Sequence, residues 1–302
     1  VNLDHLRVLV AVLESGTFTA AAARLKLSQP AVSQHMAALE REAGVQLFER
    51  AGRLRVPTDA ARELADRGRV AMAALAEADR TAEELRGLRG GRLSVGTTES
   101  PGIYRVPGML GEFAKRHPDV ELRMDIADGN ELVRRLRVRD LDVGILCEAT
   151  PAEGIVTAAL SPERLVAVWG PESPMASGKA GLERFMEQPF IAREPGSGIR
   201  KAVDRWALEH GYDVEPAMEL GSLEAMKQAV VNGLGVSVLP EAGVSAEVSD
   251  GRLRVGRLPG TPLKARVDLA ILEGRRPSGP LESFLRGAMG SRANALIDAS
   301  RG

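Results

Sequence analysis

Residues 18–40 read FTAAAARLKLSQPAVSQHMAALE, two helical patterns with a break at about Lys26 to Gln29. Before them, Leu3, Leu6, Leu9, Val10 and Leu13 recur at helical spacing, which predicts an amphipathic first helix ending at Gly16. Thr17 or Thr19 can cap a second helix, from about Ala20 to Leu25, by offering a side-chain oxygen to an unpaired N–H. Its alanines add little bulk, so it can lie close to a neighbour. Leu27 bridges the turn. Ser28 is a good N-cap for a third helix, and Pro30 sits in its first turn, where a missing N–H costs nothing. Ala31, Val32, Met36 and Leu39 then face inward, while Gln29, Ser33, Gln34 and His35 face outward. This is a helix-turn-helix that presents short polar side chains to a groove. Glutamine can pair bidentately with adenine, and serine and histidine can bond base edges or phosphates.

The next stretch, GVQLFERAGRLRVPT, alternates Val45, Leu47 and Phe48 with polar positions and then supplies Arg50, Arg53 and Arg55. We read a short two-stranded wing that carries arginines toward phosphates or the minor groove. Residues 1–56 hold seven basic and five acidic side chains, a net of about +2, so any attraction to DNA is local. Taken from its residues alone, the segment fits either a DNA reader or a small helical bundle.

The run FTAAAARLKLSQPAVSQHMAALEREAGVQLFER resembles the N-terminal signature of the LysR-type transcriptional regulators, and the match continues without a gap from Leu6 to Thr58. The resemblance implies a winged helix-turn-helix DNA-binding domain over residues 1–58. Gln29, Pro30, Ser33 and Gln34 would lie at the major groove of double-stranded DNA, with Arg53 in the wing. One departure is Gln34-His35, where many members carry an arginine.

Between Pro57 and Gly87 Gly68 is the one strong breaker, and Thr58 followed by Asp59 suits a helix start. Ala61, Leu64, Ala71, Leu75, Ala78, Ala82 and Leu85 form an apolar stripe. A helix of roughly 30 residues spans about 45 Å. It can bury that stripe against a second copy, as a coiled coil, or against its own domain. The resemblance implies the first, a dimerising linker over residues 59–89, and Leu88 to Gly91 reads as a hinge.

Strand-like runs then alternate with helical patterns: LSVGTT, VELRMDI and LDVGIL, then LVAVWG, PFIAR, AMELGS and GVSVLP, and finally RVDLAIL before a last helix. The alternation predicts parallel sheets with helices on their faces. It also predicts two lobes joined by two crossovers over residues 90–302: lobe I about 92–161 and 267–302, lobe II about 162–266. Such sheets bind ligands beyond the carboxyl ends of their strands. Thr97 to Gly102, Ala127 to Asn130, Cys147-Glu148, Glu194 to Gly198 and Ser222 all sit at such ends, with Ser222 read as the cap of the helix after it. Helix N-termini favour anions, and the hydroxyls of Thr98, Ser100 and Ser197 add neutral donors, so we expect a small ligand bearing an oxyanion. Each of these features, taken singly, is equally well a turn or a cap with no ligand.

By the same resemblance the fold class is α+β multidomain. A winged helix-turn-helix and a long linker helix precede a two-lobed α/β effector domain of the type 2 periplasmic-binding-protein-like kind. Thr98, Ser100, Asn130, Cys147, Ser197 and Gly198 would bind the effector. REPGSGIR and ELGSLEAMKQAV resemble the subgroup that regulates sulfur assimilation and carbon fixation. The resemblance further implies an interrupted palindrome as target, a homodimer that pairs into a homotetramer, and contact with RNA polymerase. It implies no cofactor beyond the effector.

Other classes find little support. His5, His35, His117 and His210 lack metal-ligand spacing, and neither a G-x-S-x-G elbow nor a Walker loop is present, so an enzyme is not expected. A secreted solute receptor would share the two lobes, but the N-terminal residues lack the pattern of a signal peptide and no apolar run is long enough for a membrane helix. The single cysteine cannot form an intramolecular disulfide, which suits a reducing cytoplasm. Cys147 itself reads either as a small lining residue or as a redox sensor.

Overall fold

Why the chain starts its first helix at Leu3 is visible at Asn2, whose side chain accepts the Asp4 N–H at 2.8 Å. The computed structural model describes residues 1–51, 54–85, 90–177, 182–258 and 262–300. The chain divides into two units, Val1–Gly91 with the short segment Arg137–Asp140, and a second made of Arg92–Leu136 with Leu141–Gly302.

In the first unit α1 (Leu3–Ser15) ends at Gly16 and α2 (Phe18–Leu25) follows at once. Thr17, not Thr19, is the cap, with its hydroxyl oxygen accepting the Ala20 N–H at 3.1 Å, so α2 starts two residues before the expected Ala20. Ala21 and Ala22 are buried where α2 packs on α1 and α3 (Gln29–Ala43). Ser28 caps α3 by accepting the Ala31 N–H at 3.3 Å, and caps of this kind stabilise a helix by about 1 kcal/mol. Leu9, Val32, Met36, Leu39 and Leu47 form the centre of this small core.

The wing is the antiparallel pair β1 (Phe48–Ala51) and β2 (Leu54–Pro57). Val45 does not join the alternation. It is exposed ahead of β1, whereas Leu47 is fully buried. Glu40 on α3 accepts the N–H groups of Leu47 (2.8 Å) and Phe48 (3.3 Å), which fixes the wing to the third helix. Thr58 donates its hydroxyl to the Gln46 carbonyl at 3.0 Å and accepts the Ala61 N–H at 3.2 Å, so one side chain both closes the wing and opens α4 (Asp59–Leu85).

The two readings of the long helix divide along its length. Ala61 and Ala65 are buried against the unit's own core, with Leu64 and Met72 packed beside them. Gly68 marks the close approach of α4 to α1, since a Cβ there would lie 3.1 Å from Leu6 Cβ. Beyond it Ala71, Leu75 and Ala78 are exposed. Residues 86–89, the end of the expected linker and the first half of the expected hinge, lie outside the described residues, as does Arg53.

The second unit opens with β3 (Gly91–Thr97), α5 (Glu99–Tyr104), α6 (Val106–Arg116), β4 (Val120–Ile126), α7 (Gly129–Arg137), β5 (Val143–Cys147) and β6 (Ile155–Ala159). The chain then crosses to β7 (Glu163–Trp169), α8 (Leu182–Met186), β8 (Ile191–Arg193), α9 (Gly198–Glu209), β9 (Met218–Leu220), α10 (Leu223–Val231), β10 (Ser237–Pro240), α11 (Ser245–Ser249), β11 (Arg254–Gly256) and β12 (Lys264–Ala265). It returns through β13 (Val267–Leu272), α12 (Gly279–Met289) and α13 (Ala293–Ala299).

Lobe I carries a sheet of order β4-β3-β5-β13-β6, and lobe II carries β10-β7-β11 with β12 also on β7, plus the pair β8-β9. The sheets are mixed rather than parallel. β3–β5 and β8–β9 run parallel, but β13 is antiparallel to β5 and β6, and β7 is antiparallel to β10, β11 and β12. The reason is the crossovers: a strand that enters a lobe from the other one arrives from the opposite side and pairs antiparallel. Each lobe has its own apolar core, Leu93, Ile145, Val267 and Phe284 among others in lobe I, and Val168, Ile191, Val230 and Leu253 in lobe II.

Candidate DNA-reading surface and effector cleft

The first turns of α3 carry the expected readers. Gln29, Pro30 and Gln34 are exposed and Ser33 is half-buried, while Val32 and Met36 anchor the opposite face in the core. Gln29 Nε2 donates to Ser33 Oγ at 3.0 Å across one helical turn, so two of the readers already hold each other in place. His35 departs from expectation. It is half-buried, with its ring edge-on to His5 at 5.2 Å, because α1 and α3 pack closely there. On the wing, the Arg55 guanidinium stacks over the Phe18 ring at 5.0 Å, and Phe18 packs edge-on to Phe48 at 5.0 Å. That cation–π contact orients a wing arginine without neutralising it.

In the second unit the expected effector residues meet a more crowded junction than the sequence suggested. Residues 99–104 form α5, not a loop. Thr98 stands at its N-cap position but makes no side-chain cap. Its Oγ1 instead accepts the Cys147 N–H at 2.9 Å, tying the ends of β3 and β5 together. Ser100 was expected as a neutral donor for a ligand. It is buried, and its hydroxyl already donates to Glu163 Oε2 at the start of β7. Burial pushes the Glu163 carboxyl above the usual carboxylate range, against the opposing pull of Ser100 and Arg105. Asn130 lies exposed in the first turn of α7, where Asp128 does the capping through the Asn130 N–H (2.9 Å) and the Glu131 N–H (3.0 Å).

Cys147 ends β5 in lobe I but packs into the lobe II core, and burial together with nearby carboxylates pushes its thiol far up. A thiol held protonated is a poor nucleophile, which weighs against a redox role. Gly198 explains the close fit: a Cβ on it would collide with the Cys147 carbonyl oxygen. Ser197, half-buried, precedes α9 and makes no side-chain cap, so its hydroxyl is not spent on the helix.

Sequence reasoning missed the charged groups at the lobe junction. Glu99 on lobe I accepts the Leu223 N–H at 3.0 Å and pairs with Arg193 on lobe II. Arg193, with its side chain 7% exposed, also forms a fork on Glu194 with both contacts at 2.7 Å. Burial works against its charge, but Glu194 and Glu99 hold its pKa above the usual arginine range. Ser222, read as the cap of the following helix, makes no cap bond, and the N–H of Leu223, the first residue of that helix, goes to Glu99. Glu148 forms a second link, a fork with Arg205 at 2.7 and 2.9 Å plus the Arg266 N–H at 2.7 Å. Burial opposes its charge as well, and those partners still keep its carboxyl below the usual range.

A groove-reading helix with a wing, followed by a separate two-lobed unit with charged groups at the lobe junction, defines a DNA-binding transcriptional regulator that carries a sensing domain. Residues 3–62 match the bacterial regulatory helix-turn-helix protein family model, lysR family, and residues 86–289 match the LysR substrate binding domain. The chain belongs to the LysR family of bacterial transcriptional regulators. It is 35% identical to the RuBisCO operon transcriptional regulator of Allochromatium vinosum over 286 residues, 94% of each chain. It is 36% identical to the HTH-type transcriptional regulator CbbR of Xanthobacter flavus over 266 residues, 87% of this chain and 79% of that one. The HTH-type transcriptional activator CmpR of a Synechocystis strain is 32% identical over 285 residues, 94% of this chain and 93% of that one. These relatives are regulators, not enzymes, and they match the carbon-fixation subgroup that REPGSGIR and ELGSLEAMKQAV resemble. Among solved structures, CbnR, a LysR family transcriptional regulator, has the same fold, with a TM-score of 0.73 at 23% identity, covering 97% of this chain and 99% of that one. Among the described residues no helix is long and apolar enough to cross a membrane.

Proposed function

We propose that this LysR-family regulator binds an interrupted palindrome as a dimer, and that a small anionic effector between the two lobes changes how the paired heads engage DNA. Gln29, Pro30, Ser33 and Gln34 read bases in the major groove, and Arg53 and Arg55 contact the sugar-phosphate backbone from the wing. The exposed stripe of Ala71, Leu75 and Ala78 pairs with its copy, and two such dimers form a tetramer that contacts RNA polymerase. Half-sites then lie one or more helical turns apart.

The observation that carries the effector reading is Arg193. It is a buried guanidinium at the lobe junction, one of its two carboxylate partners comes from the opposite lobe, and its planar fork suits carboxylates and phosphates. Thr98 and Ser197, which keep hydroxyl protons to donate, complete the polar lining. The effector must bind the two lobe arrangements with different affinity, since equal affinity would shift nothing.

The test is thermal unfolding of the full chain with a panel of small anions, including sugar phosphates, dicarboxylates and sulfur oxyanions. At a hundred times its dissociation constant a specific ligand adds about 2.7 kcal/mol, which is a shift of a few degrees in this size range. A stabilising anion whose effect is lost in Arg193→Gln supports the reading. A panel in which no anion shifts the transition refutes it.

A further inference from the structure

The lobe II donors that would receive an anion are already in use. Arg193 and the Leu223 N–H converge on one carboxylate, and that carboxylate is Glu99 of the opposite lobe. The other donors around Arg193 are satisfied from its own lobe, by Glu194 and by the Gly221 carbonyl at 3.4 Å. The first N–H of α10 has no partner within its own helix, and the contact with Glu99 supplies one. Neither Glu99 nor Arg193 belongs to the crossovers, which run from Leu160 to Glu163 and through Arg266. Glu148 and Glu163, by contrast, bond to or lie on those segments and hold the lobes where the chain itself already does.

We propose that Glu99 is a tethered internal anion, a latch that occupies the place on Arg193 where the anionic part of the effector binds, so that effector and Glu99 compete for one guanidinium. The inference rests on the anionic-effector reading above. If Glu99 leaves, Arg193 keeps Glu194 but loses its second anion, and Leu223 loses its acceptor. A buried cation stripped of one of its two anions and a helix-end N–H left without its acceptor are costly, so the lobes stay latched until another oxyanion replaces the carboxylate. A phosphate, sulfate or carboxylate supplies the same geometry, with two oxygens for one guanidinium edge and one N–H. The latch thus links the departure of Glu99 to the arrival of ligand, and it weakens apparent affinity by the share of molecules in which Glu99 is seated.

The experiment is calorimetric titration of the full chain with inorganic phosphate, sulfate and succinate at constant ionic strength. The proteins are wild type, Glu99→Gln, Glu99→Asp and Glu99→Gln combined with Arg193→Gln, each checked for native circular dichroism. Removing the internal competitor should tighten binding of at least one anion tenfold or more in Glu99→Gln. The shortened Glu99→Asp, which keeps its charge, should give a smaller gain and serves if the glutamine variant does not fold. The double variant should lose the gain. Wild type and both single variants binding an anion equally would overturn the latch and leave the anionic-effector reading standing. No binding of any anion to any variant would overturn both.

Discussion

At the scale of single residues, Gln29 and Ser33, the proposed base readers, allow reading and folding to be tested apart. Both sit on the face of α3 away from the core, and their mutual bond is an i, i+4 pair worth only a few tenths of a kcal/mol. Gln29→Ala or Ser33→Ala should therefore cost about 1–3 kcal/mol of specific DNA binding, roughly 5- to 150-fold, with nearly unchanged melting. Competition binding against cognate and random duplexes checks this, and an equal loss on both duplexes would remove these residues from base reading. Glu163 makes the opposite kind of prediction. Its folded pKa lies above its unfolded value because burial disfavours the charge. The folded state then holds more protons than the unfolded state between those two values, so stability falls as pH rises through that window. Glu163→Gln keeps an oxygen for Ser100 and removes the charge. It should be at least as stable as wild type at neutral pH and should lose that slope, which chemical denaturation at a series of pH values would read directly.

At the scale of elements, α4 serves two purposes in sequence. Its first half is part of the DNA-binding unit, fastened by Ala61, Ala65 and the Gly68–Leu6 approach, and its second half exposes Ala71, Leu75 and Ala78. Leu75 is 50% exposed, so a change there costs a monomer little, within about 0.5 kcal/mol. If the second half pairs with its copy, Leu75→Glu sets two like charges in the seam and should weaken self-association at least tenfold. Sedimentation equilibrium measures that, and an unchanged association constant would place the interface elsewhere.

At the scale of the whole molecule, the proposed dimerisation would couple to DNA binding through salt. Two heads release about twice as many counterions as one, and the logarithm of affinity falls linearly with the logarithm of salt in proportion to the phosphates neutralised. The wild-type slope should therefore be about double that of Leu75→Glu on the same duplex, measured by fluorescence anisotropy. Equal slopes would mean that one head suffices or that pairing survives the substitution. The legibility of the molecule follows the same scale. Ser28, Thr58 and the spacing of Val32, Met36 and Leu39 act within one or two turns of their partners, so the helices and the buried face of α3 could be named from residues alone. Thr98 could be named as well, but not its role, because the Cys147 N–H it accepts lies 49 positions away.

Capping, helical periodicity and the order of strands and helices were determined by the sequence itself, because each depends on neighbours a few positions apart whose chemistry is written consecutively. The charged junction was decided only by tertiary structure. Glu99 meets Arg193 across 94 positions and Leu223 across 124, and no local pattern marks either pair. Ser222 showed every local sign of a cap and Ser100 every sign of a free donor. Ser222 makes no cap bond, and the Ser100 hydroxyl was claimed by Glu163, a carboxylate that folding carried within its reach. The strands entering from the other lobe turned parallel sheets into mixed ones for the same reason: where a segment ends up depends on the path of the whole chain.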